Sequence, residues 1–429
     1  MELVISTLRS ICSAILFPPS VFILLMLLFV FYNRNKKIAL MQKMIVGGSV
    51  DSPIELTLSQ FVLGVFGGII GSIILNSFGV VFNENCKIEV LFLTSILLMF
   101  IKPRFVCFSY SASLLGAISI ILNVVTSLIP EFNYISIFKV DILYIMVFVG
   151  VMHVVEGILV FIDGHRGAIP IFIKKDNKIL GGYSLKRYWV IPMAIMIMGN
   201  MINFYGNYNG ISLHEIPNYW IKFKSTEQIN MLKTVFIYIL SFYAVVGYSS
   251  ITYTRTKKEK ARSSGIHIFS YGVLLIIVSQ VARIGILGEI LVVVFTPITH
   301  EFMLSIQRKE EKARSPKFIS DESGLVVLEI SNDSKLKEFN IDINSRIISV
   351  DDKFVESEKD IYSIFKKNFF RAVIEIKDLN GIIKKVEYKH DNSRLGVSIV
   401  PRYSDEKDDS KLQSKKFKDI LEDVNNKNT

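Results

Sequence analysis

The sequence changes character near Gln307. Up to about Ser305 it is a succession of apolar runs, such as Phe61–Val81 and Met231–Val246, whereas from Arg308 onward it is charged and punctuated by turn residues. A helix needs about 20 mostly apolar residues to cross a bilayer, and several of these runs meet that requirement. The sequence therefore predicts a polytopic α-helical membrane domain joined to a small soluble module.

The composition agrees with this division. Of the 429 residues, 51% are hydrophobic, and the mean hydropathy of +0.42 is high for a soluble protein. The formal net charge is +10. In a membrane protein such an excess is typical of basic cytoplasmic loops that face anionic lipid headgroups, so we expect no nucleic-acid partner.

The cysteines predict no covalent framework. Cys12, Cys86 and Cys107 lie in or beside apolar segments and form no C-x-x-C pair, so their spacing indicates neither a disulfide scaffold nor a zinc site. The start of the sequence lacks a charged region followed by a small-residue cleavage site, so no removed signal peptide is predicted.

We expect eight or nine membrane spans. They are Ile15–Tyr32, Leu58–Val81, Val90–Ile101, Cys107–Ile129, Asp141–Ile162, Trp189–Tyr205, Met231–Thr252 and the long stretch Ile266–Leu304, which can hold two short helices. The second span carries glycines at three- and four-residue spacing, which is typical of a face where helices approach closely in lipid. These glycines are Gly64, Gly67, Gly68 and Gly71.

Charge predicts the orientation. The loops at 33–57, 102–104, 163–188 and 253–264 carry Lys and Arg and alternate with poorer loops, which places them in the cytoplasm by the positive-inside rule. The soluble module lies there too if residues 266–304 cross twice or dip in and return. The expected location is the cell membrane, with the module cytoplasmic.

Ionisable residues interrupt one of the predicted spans. His153 and Glu156 share one helical face, and Asp163, His165 and Arg166 cluster beyond its cytoplasmic end. Such groups cost about 3 kcal/mol each at the membrane centre and often mark function. Two interpretations stay open, a buried pair that holds helices together and a site for a small ligand or ion. The last apolar stretch offers partners, namely Arg283, Glu289, His300 and Glu301.

The sequence carries no catalytic signature. A zinc protease of the H-E-x-x-H type needs two histidines one helical turn apart, and this chain has only His153-Val154-Val155-Glu156. A G-x-S-x-G elbow, a Walker A loop and a dinucleotide glycine fingerprint are also missing from the sequence. We therefore expect no enzyme activity, no catalytic or metal-binding residues and no cofactor.

The soluble module has an α+β pattern. Gly324–Ile330 predicts a strand, Lys335–Phe339 a short helical turn, and Arg346–Val350 a second strand. Glu358–Phe369 predicts a helix with Ser357 as its N-cap. Two further strands, Ala372–Lys377 and Ile382–Tyr388, flank an Asn-Gly hairpin turn.

This order of elements resembles a PDZ domain of the bacterial type. Asn340 and Asn344 stand where that family has glycines, and asparagine tolerates a positive φ. The carboxylate-binding loop of the family is not evident before the first strand, and a similar Leu395-Gly396-Val397 occurs at the far end. Either that segment closes the groove, or free C-terminal carboxylates are not the ligand.

The PDZ resemblance implies a peptide-binding groove. In such domains a peptide adds as a strand to an exposed sheet edge beside a helix. The implied groove residues are Leu325, Val326, Val327, Leu328, Ile361, Ile364 and Phe365. For each of them a plain core position is the alternative.

The whole layout resembles the MinJ family of division-site proteins of Gram-positive bacteria. The resemblance rests on Phe31–Lys37 after the first span, the glycine-rich second span, His153–Gly157 and Gly164-His165-Arg166. It implies a non-enzymatic adaptor at septum and poles, which bridges a DivIVA-like scaffold to the MinC–MinD inhibitor through its MinD-like ATPase.

The predicted domains are a membrane domain over 1–306, a basic linker over 307–317, a PDZ-like domain over 318–401 and a charged, disordered tail over 402–429. Two other classes remain open, a transporter or export component that uses the His153/Glu156 site, and an intramembrane protease with a PDZ domain.

Overall fold

The computed structural model describes residues 2–83, 88–129, 140–175, 178–199, 210–211, 236–367, 371–389 and 394–403. Nine α-helices lie in these segments. They are α1 (Glu2–Leu16), α2 (Pro18–Val46), α3 (Pro53–Ser77), α4 (Ile88–Ile101), α5 (Phe108–Leu128), α6 (Ile142–Asp163), α7 (Lys257–Ser279), α8 (Ile286–Ala313) and α9 (Glu358–Lys367).

The strands form two sheets. The first contains β1 (Val81–Asn83), β2 (Ile169–Lys175), β3 (Lys178–Gly199), β4 (Gly210–Ile211), β5 (Phe236–Thr252) and β6 (Phe318–Ile319). The second contains β7 (Leu325–Ile330), β8 (Arg346–Val350), β9 (Lys353–Phe354), β10 (Arg371–Lys377), β11 (Ile383–Lys389) and β12 (Val397–Ile399). We call α1 to α8 with the first sheet the membrane block, and the second sheet with α9 the C-terminal domain.

Five helices of the described chain are long and apolar enough to cross a membrane. They are α3, α5, α6, α8 and α7 extended by the 3₁₀ turn Gln280–Ile284. A sixth span results if α1 and α2, which meet at a 69° bend beside Phe17, are one broken span. The expected first span, Ile15–Tyr32, crosses that bend. Long apolar helices of this kind are compatible with a membrane protein.

Two predicted helical spans are wrong in type. The described parts of Trp189–Tyr205 and Met231–Thr252 belong to β3 and β5, which pair antiparallel over 17 residues, from Tyr183↔Thr252 to Gly199↔Phe236. An apolar run alone does not distinguish a buried strand from a buried helix. Burial in β5 alternates from Ala244 to Ser249, which is the period of a strand.

Parts of the predicted basic loops are helix or strand in the structure. Residues 33–46 continue α2 as helix, and α7 already begins at Lys257. Within 163–188, β2 and β3 form a hairpin with Ile169 opposite Ser184. Clusters of Lys and Arg therefore predicted which segments extend from the apolar core, but they did not predict the secondary structure of those segments.

Strand β5 pairs along one side of β3. On the other side, β2 pairs with one end of β3 and β1 with the other, and helix α3 covers the stretch between them. An added Cβ would lie 1.9 Å from the Val190 carbonyl oxygen at Gly64, and 2.0 Å from the Pro192 carbonyl oxygen at Gly68. One turn further on, the Ser72 hydroxyl accepts the Ala194 N–H at 2.9 Å. The predicted glycine face is thus a packing face, directed at a strand backbone.

The same helix packs on α6 through its other glycines. A Cβ at Gly67 would lie 2.9 Å from a Val155 methyl, and one at Gly71 would lie 3.1 Å from the other Val155 methyl. Helix α3 therefore lies between the central strand and the helix that carries His153.

The C-terminal domain has the strand order β11-β10-β8-β7-β12. The predicted strands, the helix and the hairpin turn at Gly381 (φ 82°) are confirmed. Asn340 and Asn344 adopt φ of 55° and 77°, so both asparagines take the left-handed conformation that the sequence pattern required. The predicted linker start at 307 lies inside α8, and residues 404–429 of the predicted tail lie outside the described residues.

The two parts share a continuous apolar contact. Strand β7 is fully buried, and its side chains alternate between two cores: Leu325 and Val327 face the C-terminal domain's own core, whereas Val326 and Leu328 belong to the core of the membrane block. In addition, β6 pairs with β3 through Phe318 opposite Gly181.

Polar contacts fix the same junction. The Lys257 ammonium lies 2.6 Å from the Glu329 carboxylate, with the two side chains 16% and 4% exposed. The Asn332 amide N–H donates to the Ser49 carbonyl in the turn after α2 at 2.6 Å. The Tyr183 hydroxyl donates to the Leu328 carbonyl. The C-terminal domain is therefore docked against the membrane block.

We predict that Gly68→Ala destabilises the protein. Helix propensity alone would favour alanine by about 1 kcal/mol, but the new Cβ meets the Pro192 carbonyl, so the sign should reverse. Val62→Ala, at a 53% exposed position of the same helix, is the matched control. Thermal unfolding in detergent measures both, and a Gly68→Ala variant as stable as the parent would contradict the packing.

We also predict that Glu329→Gln loosens the docked C-terminal domain. The variant leaves the Lys257 charge without its carboxylate, which should cost about 1–3 kcal/mol. Glu387→Gln is the control, because its pair with Arg371 is exposed (54% and 63%) and such pairs are worth about 0–1 kcal/mol. The readout is trypsin cleavage at Arg314 and Lys317, and equal rates for the two variants would argue against the docking contact.

Candidate functional site

Three elements of the membrane block bring Cys107, His153 and His300 together. Cys107 is the N-cap of α5 and directly follows the 3₁₀ turn Pro103–Val106, while His153 and His300 lie midway along α6 and α8. The Cys107 Sγ lies 3.2 Å from His153 Nε2 and 3.5 Å from His300 Nε2. The three potential ligand atoms all lie within 4.8 Å of one another.

Both imidazoles are oriented by a partner on their far side. His153 Nδ1 lies 2.7 Å from the Val149 carbonyl, an acceptor only, so this nitrogen carries the proton. His300 Nδ1 lies 3.2 Å from the Tyr110 hydroxyl, which itself donates to Glu301 at 2.6 Å. That hydroxyl oxygen thus accepts from His300. In the neutral rings, both Nε2 lone pairs face the Cys107 sulfur.

A second hydrogen-bonded chain borders the cluster. The Tyr271 hydroxyl donates to the Thr296 carbonyl at 3.0 Å, and the Ser109 hydroxyl lies 2.9 Å from the Tyr271 oxygen. Tyr271 has one hydroxyl proton, so Ser109 donates to Tyr271. The Tyr271 ring also packs edge-on against both imidazoles, with centroids 4.9 Å from His153 and 5.3 Å from His300.

Glu156 lies one turn beyond His153 on α6. Three residues apart on one helix, Glu156 and His153 lie on the same face of α6. A separate ionic group borders the His300 side, where Glu301 pairs with Arg104 at 3.5 Å and with Arg308 at 3.7 Å. His153 and Glu156 thus belong to one site, as their shared helical face suggested.

Asp163 belongs to a different arrangement. Its carboxylate lies 2.7 Å from Arg187 Nε, with both side chains 1% exposed, and accepts the Trp189 indole N–H at 2.9 Å. Arg187 also donates to the Leu56 carbonyl of α3 at 3.1 Å. This buried ion pair ties α3, α6 and β3 together, and its surroundings indicate a structural role.

Arg166 and His165 lie at the edge of that ion pair. Arg166 approaches the second oxygen of Asp163 at 3.6 Å and is 49% exposed. Burial lowers the pKa of His165 to about 4, and the positive charges of Lys258 and Lys257 act in the same direction. His165 is therefore neutral at neutral pH. The five predicted polar residues form two sites.

The residues of the implied peptide groove are buried in this structure. Strand β7 is hydrogen-bonded to β8 on one side and to β12 on the other. Ile361, Ile364 and Phe365 of α9 are 0%, 7% and 2% exposed and line the domain's own core. The Leu395-Gly396-Val397 segment leads into β12 beside β7, and the Leu395 N–H donates to the Tyr362 hydroxyl at 3.1 Å. Peptide binding at β7 stays a prediction, and a peptide there would have to displace β12.

Half of the residues of the Cys107 cluster are evident from the sequence. His153 and Glu156 were evident from their charge within an apolar run, and His300 was named as a partner. Cys107, Ser109 and Tyr271 carry no such signal, because cysteine, serine and tyrosine are common in apolar helices. The ligand atoms come from three elements far apart in sequence, so no local spacing could reveal them.

The fold and the site define a protein with membrane-compatible helices, a docked α+β domain and a Cys-His-His cluster in which both histidines are buried and the cysteine is half-buried. Comparison with protein-family models, with curated proteins and with solved structures finds no match to this chain.

We predict that Asp163→Asn strongly destabilises the protein, because it leaves the Arg187 charge buried without its partner. Breaking a buried ion pair in this way costs about 3–5 kcal/mol. Arg166→Gln is the matched control, since it removes only the exposed partner of the same carboxylate and should cost less than about 1 kcal/mol. Thermal unfolding in detergent distinguishes them, and equal stability of both variants would refute the structural role.

Proposed function

We propose that the protein is a non-enzymatic membrane adaptor that recruits cell-division proteins through its C-terminal domain. Its layout resembles the MinJ family, in which such a protein bridges a DivIVA-like scaffold to a MinD-like ATPase during septum placement. The domain is of the PDZ type in this proposal, it faces the cytoplasm, and the protein concentrates at septa and poles. The basic segments beside the membrane contact anionic lipid headgroups.

The observation that carries the proposal is that one face of the C-terminal domain is buried against the membrane block while its hairpin is exposed. One face is sealed onto the membrane block through Val326 and Leu328. The opposite end, the β10–β11 hairpin, presents apolar side chains to the outside: Leu379, Ile382 and Ile383 are 58%, 57% and 55% exposed. A cluster of exposed apolar residues on an otherwise charged domain is typical of a protein-binding surface.

The partner that suits this surface is a protein rather than the lipid bilayer. The hairpin strands carry Lys384 and Lys385 beside the apolar tip, and both lysines pair with acidic residues of the same domain, Asp378 at 3.1 Å and Asp352 at 3.4 Å. A mixed apolar and charged rim resembles the anatomy of protein interfaces. We call Leu379, Ile382 and Ile383 the hairpin tip.

Localisation of a fluorescent fusion of the full chain in dividing cells tests the adaptor function. We expect enrichment at septa and poles for the parent, and a uniform membrane signal for Leu379→Ser/Ile382→Ser/Ile383→Ser. Tyr403→Ser, which removes another exposed side chain (66%) of the chain, should leave the pattern unchanged. Point variants are preferable to deletion of the domain, because deletion would expose the surface that Val326 and Leu328 cover.

Uniform signal for the parent protein would overturn the division function. Enrichment that survives the hairpin-tip variant would exclude this surface as the docking site. Glu156→Gln serves as a further comparison, since an adaptor working through the C-terminal domain should tolerate it.

A second candidate function, transport or export within the membrane block, is favoured by one observation. Cys107, His153 and His300 converge around a point near the middle of α6 and α8, with Glu156 beside them. Solute uptake or secretion that is lost in Glu156→Gln, with normal abundance and melting of the variant, would favour this function over the adaptor.

A further inference from the structure

We propose that Cys107, His153 and His300 form a binding site for one Zn²⁺ ion. The ligands are the Cys107 thiolate and the two Nε2 atoms, and a fourth position stays open to a non-protein ligand. This proposal does not depend on the adaptor function, because it concerns a site inside the membrane block.

The distances fit tetrahedral zinc. Zinc–sulfur bonds of about 2.3 Å and zinc–nitrogen bonds of about 2.0–2.1 Å at tetrahedral angles put the sulfur and each nitrogen about 3.5 Å apart. The observed separations of Cys107 Sγ are 3.2 Å from His153 Nε2 and 3.5 Å from His300 Nε2. The two sulfur–nitrogen separations thus agree with a shared zinc ion to within a few tenths of an ångström, and the two Nε2 atoms lie within 4.8 Å of each other.

The count of protons also points to a cation. Both Nδ1 atoms donate away from the cluster, to the Val149 carbonyl and the Tyr110 hydroxyl, so in the neutral rings both Nε2 atoms are acceptors. Ser109 lies 3.4 Å from His153 Nε2, but its hydroxyl proton is used by Tyr271. The single thiol proton cannot satisfy two lone pairs. A metal ion satisfies all three ligand atoms at once and requires the thiolate form.

The groups behind the ligands match those of known metal sites. Metal-binding histidines usually donate the N–H of their second ring nitrogen to a carboxylate, a backbone carbonyl or water, which fixes the ring. His153 has the Val149 carbonyl in that role, and His300 has the Tyr110–Glu301 pair. These contacts hold both rings in the binding orientation.

Charge balance gives Glu156 a role. Zn²⁺ and one thiolate leave a charge of +1, which is costly in a low-dielectric interior without a counter-charge. Glu156 lies three residues beyond His153 on the same face of α6, so its carboxylate can offset this charge. Glu156 is therefore a counter-charge to the bound ion and not one of its ligands.

The three ligand atoms, one sulfur and two nitrogens, indicate which kind of metal ion the site would bind. One thiolate and two imidazoles suit zinc or copper, whereas magnesium and calcium prefer oxygen ligands. Zinc accepts a three-ligand site with an open fourth position.

The test is the metal content of the full chain purified in detergent without chelators. We expect one zinc per chain in the parent and a loss of bound zinc in Cys107→Ser, His153→Gln and His300→Gln. Cys12→Ser, which alters the other described free cysteine, is the matched control and should keep its zinc. Replacement by Co²⁺ should give the sulfur-to-cobalt absorption band of a thiolate ligand, absent in Cys107→Ser.

A second measurement avoids variants that fail to fold. In a Cys12→Ser/Cys86→Ser background, Cys107 is the remaining thiol, and its alkylation should be slow in the zinc form and fast after chelation. Tyr110→Phe, which removes the acceptor of His300 Nδ1, should weaken zinc affinity about 10–100-fold, the usual effect of losing such a partner.

Three results would overturn the proposal. They are parent protein that neither retains zinc nor binds Co²⁺ on reconstitution, zinc that persists at one per chain in Cys107→Ser, and copper as the stoichiometric metal. Septal localisation is scored separately in cells, so failure of the zinc site and failure of the adaptor function cannot be confused.

Discussion

The membrane block depends on how the backbone of β3 is satisfied. A strand inside an apolar block leaves N–H and C=O groups unpaired on any side without a neighbouring strand, and no water is available there to bond them. Helix α3 provides partners for Ala194, whose N–H donates to the Ser72 hydroxyl and whose carbonyl accepts from the Asn76 amide at 3.3 Å. Gly64 and Gly68 let the helix pack closely over the carbonyls of Val190 and Pro192. Within a strand, the N–H and C=O of one residue point to the same side. The missing N–H of Pro192 therefore falls on the side covered by α3, where no strand needs it.

This arrangement positions the Cys-His-His cluster. Helix α6 is held on one side by Gly67 and Gly71 of α3, and on the other by α7, where an added Cβ at Gly157 would lie 2.5 Å from the Phe269 nitrogen. Contacts this close fix the rotation of α6 about its axis. They also aim His153 at Cys107 and His300, which come from α5 and α8. The Asp163–Arg187 ion pair ties the far end of the same helix to β3. The central helix of the cluster is thus held by close contacts at several points along its length.

The sequence predicted the C-terminal domain closely and the membrane block only in part. In the C-terminal domain, the turns can be predicted from single residues, because Asn340, Asn344 and Gly381 are residue types that favour a positive φ. Strands there also alternate in polarity over short distances. In the membrane block, all faces of an element can be apolar, so periodicity is weak and β3 and β5 look like helices. The glycine face of α3 was visible as a packing face, yet nothing local showed that its partner is a strand. Cys107 was hidden for the same reason, because its partners are defined only by tertiary structure.

Docking connects the two parts into one unit. Strand β7 alternates its side chains between two cores, with Leu325 and Val327 toward the C-terminal domain and Val326 and Leu328 toward the membrane block. If the C-terminal domain were attached only through a flexible linker, one face of β7 would be buried in the domain and the other would be exposed to solvent. Since both faces are covered, movement of the domain would expose Val326 and Leu328 and separate Glu329 from Lys257. The surfaces left for partners are those remote from the junction, and the β10–β11 hairpin is held at a fixed place relative to the helices. A partner bound there would be presented to the membrane in a defined orientation, which a flexible tether could not provide.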